Sequence, residues 1–279
     1  MIRMLQFVRP AFTVALIVLL LAACATSPTG RRQLMLVSED QAISSSAQAY
    51  VQEVGRFKSE GKLSRDRALI ERVDVITERL VAQAIQMRPD SRDWQWSVAV
   101  IDDPDVVNAW CMAGGRMAIY TGLIDQIEPT DDEIAQVMGH EIGHALANHT
   151  AEKMSVAMAS SIGVIAVGIA ADNSGAAMAG AAAAAALAIK LPNSRTAETE
   201  ADRIGIELAA KAGYAPGAAV TLWQKMNAIG GQPPEFLSTH PDPENRAERL
   251  ARLGPEMEPY YRQAGTRPRH PVQTVTALD

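Results

Sequence analysis

The chain has 279 residues, with 26 Lys and Arg against 32 Asp and Glu and a formal charge of −6. That length supports one good-sized domain with a real core, or at most two. No basic patch or basic tail stands out, which argues against nucleic acid as a partner, and the hydrophobic content of 48% is inflated by alanine.

Arg3 and Arg9 give a short positive region, Ala11 to Ala23 is apolar and uncharged, and Leu21-Ala22-Ala23-Cys24 closes the segment. The run is short for a membrane-spanning helix and has the layout of a secretory signal over residues 1–23. The closing residues resemble a bacterial lipobox. That resemblance implies cleavage before Cys24 and a lipid on Cys24; with Ala25 next, it implies an outer-membrane lipoprotein facing the periplasm. Residues 24–37 then read as lipidated Cys and tether, since Ala25 to Gln33 holds Ser, Thr, Pro, Gly and two Arg. Once Cys24 is acylated only Cys111 remains, so no internal disulfide can form, and Cys111 reads as a small core residue rather than a reactive thiol.

Ser38 begins a helix with Ile43, Ala47, Tyr50, Val51, Val54 and Phe57 on one face, broken by Gly61. A second helix from about Ser64 carries Ile70, Val73, Ile76, Leu80 and Ile85 and ends at Pro89. Trp94 to Ile101 alternates apolar and polar residues as a strand does; Val106 to Ala113 and Arg116 to Thr121 are two more, joined through Gly114-Gly115. Thr130-Asp131-Asp132-Glu133 is a capping box, opening a helix through His144 to about Asn148. Val156–Ala171 and Ala176–Ile189 are apolar arms of a helical hairpin: self-packed, a surface touching membrane or partner, or a lid. Helices follow over Ser194 to Ala212 and Pro216 to Ala228; then come a proline-framed turn at Ser238-Thr239-His240-Pro241 and a short charged helix from about Glu244 to Leu253. Gly265 to Asp279 has no periodicity and reads as a disordered tail.

The chemistry lies in His140-Glu141-Ile142-Gly143-His144. On a helix, positions four apart share a face, so both imidazoles reach one metal ion, with Glu141 beside it; this is the working part of a zinc-dependent peptidase. A catalytic zinc takes three protein ligands and leaves one position open. A downstream His in the H-E-x-x-H-x-x-G-x-x-H spacing would fall at Thr150, and His149 reads as a helix-end histidine. Glu198, at the start of a later helix, supplies a carboxylate instead. Asp202 lies on the same face, placed to hold the second ring N–H of a zinc-bound His. The rival Glu200 points about 160° away from Glu198.

The blocks Asn108-Ala109-Trp110-Cys111-Met112-Ala113-Gly114-Gly115, Tyr120-Thr121-Gly122-Leu123, Gly139 to His144, Ser194-Arg195 with Glu198 and Glu200-Ala201-Asp202, and Ser238-Thr239-His240-Pro241 together resemble the M48 family of zinc metallopeptidases, in its bacterial lipoprotein and mitochondrial Oma1-like branch. Ala113 departs from the Pro that many members carry there. The resemblance implies an α+β, mainly α fold: a zincin-like (gluzincin) domain over residues 38–263, with a small sheet beside the H-E-x-x-H helix and a disordered tail over 264–279. It implies one zinc per chain on His140, His144 and Glu198, Glu141 as the catalytic carboxylate and Asp202 as a supporting acid. His240 is implied either as a fourth ligand that silences the zinc or as a helper in the cleft. Arg246 is a second candidate donor whose plainer role is a surface ion pair. Asn108 is a candidate for orienting substrate backbone, and Arg116 to Thr121 for the edge strand that pairs with substrate.

The function this implies is a zinc-dependent endopeptidase cleaving unfolded or misassembled cell-envelope proteins in protein quality control. The alternative is a periplasmic assembly factor or chaperone for outer-membrane proteins with latent protease activity. The partners implied are polypeptide substrates, the membrane through the lipid anchor, and the outer-membrane assembly machinery.

Overall fold

The computed structural model describes residues 24–170, 193–229, 234–241, 245–263 and 265–278, with backbone alone at Cys24 and over 161–170. The signal segment over 1–23 and the second apolar arm over 176–189 lie outside the described residues. The chain divides into two compact units, Met1–Ser38 with Ala151–Ile189, and Glu39–Thr150 with Lys190–Asp279.

In the first unit, β1 (Cys24–Thr26) and β2 (Arg32–Leu34) form an antiparallel ladder. Ser27 N–H donates to the Arg31 carbonyl at 2.8 Å, and Gly30 turns the chain at φ 87°. Arg31 grips Glu152 with both terminal nitrogens (2.8 and 2.6 Å), Gln33 adds a third bond at 3.0 Å, and the Ser155 hydroxyl accepts from Val37 N–H at 2.9 Å. The segment expected to be a loose tether is therefore held. A charge-assisted fork onto one carboxylate supplies what its composition lacks.

The second unit holds α1 (Glu39–Ser59), α2 (Arg67–Met87), β3 (Ser97–Ile101), β4 (Ala109–Met112), β5 (Arg116–Tyr120), α3 (Thr121–Ile127) and α4 (Asp131–Leu146). It also holds the start of α5 (His149–Ala170), which continues into the first unit, and then α6 (Arg195–Lys211), α7 (Ala218–Ala228), α8 (Glu235–Thr239), α9 (Arg246–Gln263) and β6 (Gln273–Val275). The fold is α+β and mainly helical, as the family resemblance implied. The α1 face is rotated slightly from the expected stripe: Ala42, Ser46, Tyr50, Val54 and Phe57 are buried and Val51 is exposed.

The sheet runs β4-β5-β3-β6, with β3 parallel to β5 and β6 and β4 antiparallel to β5. All five residues of β3 are buried, so the strand does not follow the alternation read from Trp94 onward; it lies between two neighbours with both faces covered. The β4–β5 turn needs two successive left-handed residues, Gly114 at φ 83° and Gly115 at φ 81°; a Cβ on Gly115 would stand 2.5 Å from the Trp96 ring. β5 is internal, so it is not the edge strand it was expected to be. β4 is the edge on that side.

Two C-terminal expectations also change. The last helix continues past Leu253 to Gln263 with Pro255 and Pro259 inside it, held by one buried face of Arg246, Leu250 and Met257. The expected disordered tail instead forms β6. His270 N–H donates to Glu78 O, Gln273 N–H to Trp96 O and Ala277 N–H to Ser64 O, at 3.0, 3.0 and 3.2 Å. A strand of three residues is too short to announce itself by alternation.

The capping box forms as expected: Thr130 Oγ1 accepts from Glu133 N–H at 3.2 Å and Glu133 Oε2 accepts from Thr130 N–H at 2.8 Å. Glu133 also accepts from Thr221 and Lys225, each at 2.7 Å. Burial opposes its charge, but these donors prevail and hold its carboxyl below the ordinary 4.5. A lowered folded-state value means stability that is present above the unfolded value and lost as pH falls through the folded one. Glu133→Gln should therefore cost about 1–2 kcal/mol at pH 7. The difference from wild type in urea unfolding should shrink steadily below about pH 4.5; a difference that stays constant down to pH 3 would refute the charge-based account.

Candidate metal centre

Sequence spacing puts His140 and His144 one turn apart on α4, and folding buries both, at 4% and 5% exposure. Facing them is α6, capped by Ser194, whose hydroxyl accepts from Ala197 N–H at 3.1 Å. Glycines set the separation of the two helices. A Cβ on Gly205 would lie 2.6 Å from His140 N, one on Gly139 2.9 Å from Gly205 O, and one on Gly143 3.0 Å from Ala201 O. Backbone thus rests on backbone, and Glu198 at the start of α6 reaches both imidazoles.

The distances converge on one point. His140 Nε2 and His144 Nε2 are 3.0 Å apart; Glu198 Oε2 is 3.3 Å from the first and Oε1 3.3 Å from the second. His240, at the C-terminal end of α8, brings Nδ1 to 3.1 Å from Glu198 Oε1 and 3.3 Å from His140 Nε2. One ligand atom from each of these four buried residues lies within 4.8 Å of all the others. Two imidazole nitrogens and a carboxylate around a common centre are a donor set suited to zinc.

Glu141 stands beside the group, 2% exposed, and its Oε1 has no hydrogen-bond partner. The backbone N–H of Cys111 on β4 donates to the carboxylate, and His240 Nε2 lies 3.4 Å from Oε1. Burial pushes the Glu141 carboxyl above its ordinary range. An acceptor left open in a dry site at the rim of a candidate metal centre fits a group that receives its proton from something not held by the protein. Cys111 is buried, and burial raises its thiol well above the ordinary value, consistent with a core residue.

Asp202 Oδ1 sits 3.0 Å from His140 Nδ1. Arg246 is no surface ion pair: it is 2% exposed, lies over the Trp223 ring at 3.4 Å, and donates to Asp202 at 2.6 and 3.1 Å and to Glu198 at 3.4 Å. Burial opposes ionisation of both carboxylates. Against it, Arg246 and His140 lower Asp202, while His144, His140 and His240 lower Glu198. Burial likewise opposes charging of His140, yet Asp202 and Glu198 hold it up at about 9; burial pushes His144 well below its ordinary value. Asn108, the candidate for orienting substrate backbone, bridges two elements. Its Oδ1 accepts from Ala109 N–H at 2.9 Å and its Nδ2 donates to Glu235 at 3.3 Å, tying β4 to α8.

Asn193 carries no signal in the sequence, and His149 and Glu200 have roles their helix positions alone do not show. Asn193 Nδ2 lies 3.4 Å from both His144 Nε2 and His240 Nδ1. His149 and Glu200 are buried behind His144. Asn148 at φ 56° ends one helix and lets His149 begin the next with its ring turned back. The Asn after the last periodic residue is the one local signal that could have suggested that turn.

The sequence model of Peptidase family M48 matches residues 68–253. The chain is 33% identical over 241 residues to the mitochondrial metalloendopeptidase OMA1 of Bos taurus, covering 82% of this chain and 45% of that protein. It is 37% identical over 157 residues to the mitochondrial metalloendopeptidase OMA1 of Arabidopsis thaliana, covering 56% and 31%. It is 25% identical over 221 residues to the beta-barrel assembly-enhancing protease of Escherichia coli (strain K12), covering 76% and 44%. The chain thus spans less than half the length of each of these relatives.

Proposed function

The chain belongs to peptidase family M48, and from that membership we propose that it is a zinc metalloendopeptidase that cleaves unfolded or misassembled polypeptides of the cell envelope. The observation that carries this reading is the convergence of His140, His144 and Glu198 beside a buried Glu141 with one oxygen that makes no hydrogen bond. His140 and His144 would hold zinc through Nε2 and Glu198 through its carboxylate. Zinc so held supplies Lewis acidity, acidifying a water and polarising a peptide carbonyl. Glu141 receives the proton of the attacking water and returns it to the leaving nitrogen. Asp202 accepts the Nδ1–H of His140 and fixes that ring, while Arg246 keeps Asp202 ionised and donates to Glu198. The edge of β4, next to Glu141, offers main-chain groups to an extended substrate.

The envelope location rests on the lipobox at Leu21 to Cys24 and on the similarity to the beta-barrel assembly-enhancing protease. In this reading Cys24 carries the lipid and the domain faces the periplasm from the outer membrane. His240 favours a second reading, an assembly factor with latent proteolysis, because a fourth protein ligand closes a zinc site.

One experiment separates the readings. Purified protein should carry one zinc per chain and cleave casein; chelation should stop cleavage and added zinc restore it. A chain that folds without stoichiometric zinc refutes the metallopeptidase reading. His240→Ala should raise cleavage if His240 silences the site, and leave it equal or lower if His240 assists.

A further inference from the structure

Two buried ionisable side chains of the centre take no part in the ligand set. His149 is 1% exposed and Glu200 5%. A carboxylate so buried is costly unless it is paired. The pairing forms a line: His144 Nδ1 lies 2.7 Å from His149 Nδ1, and His149 Nε2 lies 3.1 Å from Glu200 Oε2.

Two imidazole nitrogens at that distance share one proton. If His144 offers the lone pair of Nε2 to zinc, its proton is on Nδ1, and His149 Nδ1 must be the acceptor. The proton of neutral His149 is then on Nε2, donated to an ionised Glu200. A single condition fixes every hydrogen in the line. The placement of His149 as the first residue of α5 agrees, because a helix N-terminus disfavours a cationic imidazole.

We infer that Glu200 and His149 form a positioning relay for His144, the counterpart of the direct contact of Asp202 with His140. The inference rests on the reading that His144 binds zinc. The relay locks the tautomer and ring plane of His144 and increases the basicity of its Nε2, so the site binds zinc more tightly. The interposed ring also keeps the charge of Glu200 one residue further from Glu198 and Glu141 than a carboxylate directly on His144 would stand. The two ligand histidines are thereby supported unequally, one by an anion and one by a neutral ring backed by an anion.

The test uses the full chain. Glu200→Gln keeps the size of the side chain and an oxygen to accept from His149, but removes the charge. Zinc affinity of the metal-free protein, measured by competition with a chromophoric chelator, should fall about 10- to 100-fold. The visible absorption of the cobalt-substituted protein should shift. Glu207→Gln, on the same helix, should change neither. Nitrogen-15 spectra of the unaltered zinc-loaded protein should show His149 bare at Nδ1 and protonated at Nε2. Zinc affinity within twofold of the wild type, or a proton on Nδ1 of His149, overturns the relay while leaving the zinc reading intact. If the wild type binds no zinc, both fall together.

Discussion

Glu141→Gln is expected to lower kcat/KM for casein by about 10²- to 10⁴-fold, the usual contribution of a positioned general base, with zinc content unchanged. The glutamine amide keeps the shape of the carboxylate and an acceptor for the Cys111 N–H, so neither the fold nor the ligand positions should change. It cannot take a proton. Glu141 Oε1 makes no hydrogen bond and lies 3.4 Å from His240 Nε2, whereas Glu198 faces three histidines and Asp202 is held by Arg246, Arg249 and His140. Metal analysis alongside casein kinetics decides the matter. A variant that keeps its zinc and retains more than a tenth of wild-type activity would remove Glu141 from the chemistry.

Gly205→Ala is expected to be among the most damaging substitutions in the chain. Its methyl group would meet His140 N at 2.6 Å, His140 Cα at 2.8 Å and Gly139 C at 2.9 Å, all main-chain atoms that cannot rotate away. Forced separation of packed elements costs about 1–3 kcal/mol, and more when nothing can yield. Here the displaced elements are the two that carry the ligands, so zinc affinity should fall along with the urea midpoint. Gly217→Ala is the control, since a Cβ there meets nothing within 4 Å; it should change stability by less than about 1 kcal/mol. Equal stability of the two variants would show that α4 and α6 separate freely.

The parts of the site that the sequence made legible are those with local spacing. His140 and His144 share a helix face, as do Glu198 and Asp202, and the capping box announces the start of α4. These are statements about neighbours in the chain, and helix geometry converts them into neighbours in space. The burial of Arg246 is not legible in the sequence, because it comes from Trp223, Asp202 and Glu198, all on other helices, and an arginine early in a charged helix looks like any surface arginine. His149 and Glu200 were set aside for the same reason: each was judged against its own helix, where one marks an end and the other points away from Glu198. The internal position of β5 depends on where β3 and β6 pair, and no alternation within β5 encodes that. The last helix outruns the expected end at Leu253, through Pro255 and Pro259, because burial of the α9 face comes from tertiary packing.

The pairing of β6 with β3 joins Val98 to Thr274. This parallel contact spans most of the chain, and so distant a contact forms late, after the entropy of a long loop has been overcome. Until it forms, Ser97–Ile101 presents an unpaired edge that is apolar from Val98 onward, the kind of surface on which other chains assemble into aggregates. The few residues around β6 therefore protect the protein as it folds, and shortening the chain before Gln273 should make refolding yields fall steeply as protein concentration rises.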